Sequence, residues 1–379
     1  MLVNHTRRLR PPLLRSALVI GALATGVSAC SSSAKSADTT VAPATTVRAA
    51  ATTTAAAPTT TTTVPETTTT VAETTTTTVP ETTTTVPAVP TYALTGVENP
   101  DPVIAARPAL VVKIDNAPGA RPQSGFNEAD IVFEEIVNDN LTRFAMVFQS
   151  GNAGPVGPIR SGRIQDINLF TALDHPLFAW SGGNATVTDA INASELVNIG
   201  PARASVYFRT RDKKAPHNLY SSTDALYSRT PPFWPPAKPL FQYLHPGDPV
   251  AGTPSPGAFV QLDSIDVRWD YDATQGLYFR QMEGRPHNDA LSGQVSTNNV
   301  VVLVMDYLPG ISNSPDAQTI GTNEVYVLTG GNVVHGTWTR NDAHEPFTLT
   351  ADDGTPIRLQ AGRTFVELPR PGHTLVIPG

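Results

Sequence analysis

The 379-residue chain carries 26 Lys+Arg against 33 Asp+Glu, a formal charge of −7. Its basic residues are scattered apart from one local group, which excludes the concentrated basic surface that nucleic-acid partners favour. A lone cysteine, Cys30, excludes an internal disulfide and a cysteine-built metal site.

Residues 1–29 read as an export signal. Arg7, Arg8, Arg10 and Arg15 form a basic start, and the apolar stretch after them is broken by Gly21 and Gly26. That stretch falls short of the roughly 20 residues a bilayer-crossing helix needs, and small residues ahead of a cysteine fit processing. Val27-Ser28-Ala29-Cys30 resembles a bacterial lipobox. The resemblance implies a palmitate-bearing diacylglyceryl cysteine at Cys30, and two acyl chains anchor stably where one does not. The expected location is therefore the cell membrane, lipid-anchored and facing the extracytoplasmic side. Loss of the signal lowers Lys+Arg from 26 to 22 against 33 unchanged acids, moving the charge to −11, and the lipid consumes the sole thiol.

Residues 30–90 repeat threonine runs separated by Val64-Pro65-Glu66, Val71-Ala72-Glu73 and Val79-Pro80-Glu81. Such a repeat has no apolar stripe to offset the entropy of ordering, so the expectation is a disordered Thr/Pro stalk. About 60 residues of it span roughly 45 Å as a coil and approach ~190 Å as polyproline II.

The remainder predicts an α+β fold: a mixed α/β domain over 91–240, then a β-rich domain over 241–379. Residues 109–115, 131–137 and 143–148 read as strands, the last two joined through the hairpin signal Asn138-Asp139-Asn140. Ile164, Ile167, Leu169, Phe170 and Leu173 recur at helical spacing, with Ser161 as N-cap. A buried strand at 177–181 and a helix over 187–197, opened by Thr186 or Thr188, follow. The proline-rich run 231–239 suits neither helix nor central strand and marks a seam. Beyond Gly257, short runs at 259–262, 267–271, 277–281, 300–306, 324–328, 333–339, 347–349, 357–359, 364–368 and 375–377 read as strands of a sandwich or a barrel.

Polar chemistry concentrates at residues 154–163, a Pro/Gly loop that ends in Arg160, Ser161 and Arg163 just ahead of a predicted helix. Helix N-termini favour anions, and arginine adds bidentate bonding to carboxylate or phosphate. Either these arginines take an external anion, or they pair with Asp115, Glu134 or Glu135 and pin the loop. Ser161 lacks the Gly-x-Ser-x-Gly setting of a hydrolase nucleophile. His217 either braces its polar loop or acts as a base or ligand contact. His287 and Asp289 have no third metal ligand and read as a solvated turn. Asp130, Glu134 and Glu135 offer carboxylates for glycan cleavage or bracket the arginines. No P-loop, dinucleotide fingerprint, His-Glu-x-x-His or calcium loop occurs, so no cofactor is expected.

Segments 109–116, 120–125, 128–134, 141–144, 157–163 and 215–220 resemble YerB-type bacterial lipoproteins. So do 269–271, 278–280, Gly284 with His287 and Asp289, 299–302, 336–339 and 359–369. The resemblance implies a lipoprotein with two adjoining family domains and no established biochemical function. Gly162 departs from the family's alanine, which is expected to loosen the loop. The site set is Asp115, Arg121, Glu134, Arg143, Arg160, Ser161, Arg163 and His217. The expected function is non-catalytic binding of an anionic cell-wall fragment or envelope-protein partner. A peptidoglycan hydrolase or transferase using Glu134 or Asp130 with His217, and an assembly factor working through the β-rich domain, are the alternatives.

Overall fold

A computed structural model describes residues 89–98, 101–138, 140–377 and 379. The signal segment, Cys30 and the threonine runs lie outside them. The described chain is mostly strand with few, short helices. Its helices are α1 (Pro102–Ala105), α2 (Gln165–Phe170), α3 (Ala185–Ala193) and α4 (Thr223–Tyr227).

One large sheet organises the molecule. It is built from β1 (Leu110–Asp115), β2 (Ile131–Ile136), β3 (Thr142–Phe148), β4 (Leu177–Ala179) and β5 (Val197–Asn198) before the proline-rich segment. After that segment, a second sheet takes β6 (Gly257–Leu262), β7 (Ile265–Asp272) and β8 (Leu277–Met282). The chain then returns to the large sheet with β9 (Asn299–Leu303), β10 (Gly321–Thr329), β11 (Asn332–Arg340), β12 (Thr348–Ala351) and β13 (Thr364–Glu367). Finally, β14 (Thr374–Ile377) lies at the edge of the second sheet beside β6. The order across the large sheet is β12-β11-β10-β9-β13-β2-β3-β1-β4-β5.

Residues 231–239 carry neither helix nor strand, as their prolines require. The sheet nonetheless continues from one side of that segment to the other, because β13 lies parallel to both β9 and β2. In that pairing Ile131 stands opposite Thr364 and Glu134 opposite Glu367. The later strands thus divide between two sheets in an open arrangement rather than a barrel.

Both faces of the large sheet are covered, which is why β1, β2 and β13 are buried at every position. Successive side chains point to opposite faces. Val112, Val132, Met146 and Phe365 meet Val267, Trp269 and Tyr278 of the second sheet in one core. On the other face, Val111, Phe133, Ala145 and Val366 meet Phe170 of α2, Ile191 of α3 and Trp180. Consecutive Glu134 and Glu135 therefore enter different cores.

Several local expectations need correction. Ser161 does not cap α2; the position before the helix is Ile164, and Asp166 Oδ2 instead accepts the Arg163 N–H at 2.7 Å. Asn184, not Thr186 or Thr188, caps α3, accepting from Val187 N at 2.9 Å. Residues 357–359 make only isolated bridges, since Pro356 pairs with Thr350 and Leu359 with Tyr243. His287 and Asp289 are buried rather than solvated, each 4% exposed. Asp289 Oδ2 accepts the backbone N–H groups of Gly125 and Phe126.

Candidate functional site

Strand register sets the first part of the site. Asp115, the last residue of β1, stands opposite Arg143 at the start of β3. Below β4 the edge of β1 is open, and the 154–163 loop occupies it: Asp115 N–H donates to Pro158 O and Arg160 N–H to Lys113 O, both at 2.9 Å. The loop thereby delivers Arg160 beside Asp115, with Nε 3.1 Å from Oδ2. The same oxygen receives His217 Nδ1 at 2.7 Å, and Asp115 Oδ1 accepts Ala117 N–H at 3.0 Å. His217 thus ties its loop to the end of β1.

Arg143 Nη1 donates to Ser161 O at 2.7 Å. Its guanidinium is held below the ordinary arginine range, first by burial and then by Arg163 and Arg160. Arg163 donates to Asn138 Oδ1 at 2.6 Å, Ser314 Oγ at 2.9 Å and Gly162 O at 3.0 Å. A second loop forms the facing wall, tied to the first by Gly162 N–H to Gly182 O (3.2 Å) and Ser181 N–H to Arg160 O (3.0 Å). Between the walls lies a cleft of about 350 Å³, which Arg143, Arg160, Arg163, Arg209, Ser181 and Asn184 help to line.

Arg209 was not singled out from the sequence. It sits on a two-residue strand, Phe208–Arg209, paired with Leu219–Tyr220, and donates to Asn218 Oδ1 at 2.7 Å. The only sequence signal for it is the basic run at 209–214, closely preceding His217.

Of the predicted site residues, Arg143, Arg160, Ser161 and Arg163 line the cleft; Asp115 and His217 stand behind Arg160 without lining it, and neither Arg121 nor Glu134 reaches it. Arg121 donates to Asn116 and pairs with Glu283 Oε2 at 2.5 Å, beside a different hollow. Glu134 is fully buried with Arg280, Thr142 and Asn116. Glu135 pairs with Lys113 in the other core, and Asp130 accepts from Gln149 N–H, Ser150 N–H and Ser150 Oγ. None of these three brackets the arginines, and neither Glu134 nor Asp130 bonds His217. The helix N-terminus behind Arg163 is likewise filled by the protein's own Asp166. Among the described residues, no group of three or more His, Cys, Asp or Glu is placed to hold a metal, and no helix is long and apolar enough to cross a membrane.

Gly162 is tightly enclosed rather than a source of looseness. A Cβ there would lie 2.8 Å from Trp180 Cε3 and 3.1 Å from Asp166 Oδ2. Gly162→Ala is expected to destabilise by about 1–3 kcal/mol through overpacking, measured by denaturant unfolding.

Residues 94–232 match the N-terminal domain of the family described as Protein of unknown function (DUF3048), and residues 259–366 match its C-terminal domain. The chain belongs to the DUF3048 family. It is similar over 285 residues, at 26% identity, to a Bacillus subtilis (strain 168) protein, YerB, whose name describes a lipoprotein; the match covers 73% of this chain and 85% of that protein. A crystal structure of the Bacillus subtilis YerB protein superposes with a TM-score of 0.66 at 22% identity, covering 76% of this chain and 99% of that one. The overall fold is shared with it. All four cleft arginines of this DUF3048 chain fall in the N-terminal match, whereas Ser314, which holds Arg163, falls in the C-terminal one.

Proposed function

We propose that this protein is a lipid-anchored envelope protein whose arginine cleft binds an anionic group. One observation carries the reading: the guanidiniums of Arg143, Arg160 and Arg209 converge on the cleft, and of these three only Arg160 makes an ion pair among the described residues, with Asp115. Arg143 and Arg209 each commit a single hydrogen bond within the described residues. Crowded cations in a partly desolvated site gain most from a bound anion.

Removing two of these charges tests the idea. Arg143→Ala/Arg160→Ala is expected to weaken binding of inorganic phosphate at least tenfold by calorimetry, with the fold checked by circular dichroism. Unchanged affinity in a folded variant would make the arginines purely structural.

The anchor is a diacylglyceryl group on Cys30, with the threonine-rich segment as a spacer lifting the head off the extracytoplasmic face. A relative named as a lipoprotein and the lipobox pattern support it. Metabolic labelling with palmitate is expected to mark the wild-type chain and to vanish in Cys30→Ala; persistent label would place the lipid elsewhere.

A further inference from the structure

Resting on the anion-binding reading, we infer that the group taken by the cleft is a phosphate ester of a polyol or sugar. Three features of the walls lead there. Arg143, Arg160 and Arg209 arrive from three separate segments: the start of β3, the 154–163 loop and the Phe208–Arg209 strand. A planar carboxylate is satisfied by one in-plane bidentate arginine. Guanidiniums converging from several directions suit the tetrahedral oxygens of phosphate.

The second feature is a pair of unused hydroxyls. Ser161 and Ser181 both line the cleft, and neither side chain makes a hydrogen bond to another described residue. A hydroxyl both donates and accepts, so the pair complements neutral hydroxyls on a ligand. Pro216 and Leu219 add an apolar surface against which the C–H face of such a ligand can lie. The third feature is size: about 350 Å³ equals about a dozen waters at ~30 Å³ each, more room than phosphate alone fills.

The same chemistry comes from two sources, a glycerophospholipid headgroup or a phosphorylated polyol free of lipid. Calorimetry on the full chain carrying Cys30→Ser, with inorganic phosphate, glycerol 3-phosphate and N-acetylalanine as probes, tests the inference. Glycerol 3-phosphate is expected to bind at least about fivefold tighter than phosphate, and Ser161→Ala/Ser181→Ala to remove that advantage. Cosedimentation of the same chain with phosphatidylglycerol vesicles, but not phosphatidylcholine vesicles, then assigns the headgroup source; glycerol 3-phosphate binding without cosedimentation assigns the lipid-free one. Equal affinity for phosphate and glycerol 3-phosphate, or an advantage that survives the double substitution, overturns the polyol assignment. Preference for N-acetylalanine overturns the phosphate assignment while leaving anion binding standing. No binding of any probe overturns both.

Discussion

Arg280→Ala is expected to destabilise the protein by about 3–5 kcal/mol, because it strands buried carboxylates without their cation. Glu134 and Glu367 stand directly opposite each other on parallel strands and point into the same core. Two carboxyl groups in that register repel when both are ionised. Arg280 of the second sheet resolves the conflict, with Nη2 on Glu134 and Nε 3.3 Å from Glu367 Oε1. Its Nη1 donates to His287 Nδ1 at 2.7 Å, which requires a neutral imidazole, and burial drives the His287 pKa well below its ordinary value. Phe365, Phe144 and Trp269 surround the guanidinium at 5.1 to 5.8 Å. Arg280→Met keeps that packing but not the charge, so it is expected to lose nearly as much. Adding Glu134→Gln and Glu367→Gln to it is expected to recover most of the loss in urea unfolding. If Arg280→Met alone costs nothing, the ion pairs are not what holds this junction.

The same network carries a pH signature. Glu367 is pushed up to about 8, first by burial and also by Glu134 beside it, against the opposing pull of Arg280. Burial and Asp166 push Glu135 up to about 7. The folded state therefore holds protons that the unfolded chain releases above about 4.5. Stability from these groups is complete below that value and is lost as pH rises through 7 to 8. Glu367→Gln is expected to flatten this decline.

Lys113→Ala is the second large effect, again about 3–5 kcal/mol. Lys113 is fully buried and pairs with Glu135 and with Asp166 Oδ1 at 2.8 Å, while Gln165 Nε2 donates to the other Glu135 oxygen at 2.8 Å. Removing the ammonium leaves two carboxylates facing each other in an apolar core. Asp166 also holds Arg163 N–H, so the variant is expected to weaken phosphate binding at the cleft as well. Glu135→Gln in the same chain relieves one carboxylate and should restore part of the stability. Loss of stability with full phosphate affinity would separate this core from the site above it.

Local signals were readable where they depend on neighbours in the chain. The apolar runs of β1, β2 and β3 and the hairpin between the last two fall within a residue or so of their predicted bounds. Of the carboxylates offered to the arginine loop, Asp115 is the one that Arg160 meets. What could not be read depends on distant partners. Nothing near Glu134 announces that Glu367 will lie beside it, more than two hundred residues later. The period-two rule separates Glu134 from Glu135 but does not say that both faces are covered, so both were offered to the arginines. His287 and Asp289 looked solvated because the segment that covers them, Gln123 to Phe126, with Phe144 against His287, lies well over a hundred residues earlier in the chain. Arg209 carries no local mark beyond charge; only its strand pairing with Leu219–Tyr220 brings it to the cleft.

The most direct test of anion binding follows the arginine Nε–Hε signals by NMR as inorganic phosphate is added to the protein. Signals of Arg143, Arg160 and Arg209 should shift along one saturation curve, while those of Arg121 and Arg280 stay in place. No shift in the three, or a shift confined to Arg121, contradicts the assignment of this cleft as the binding site.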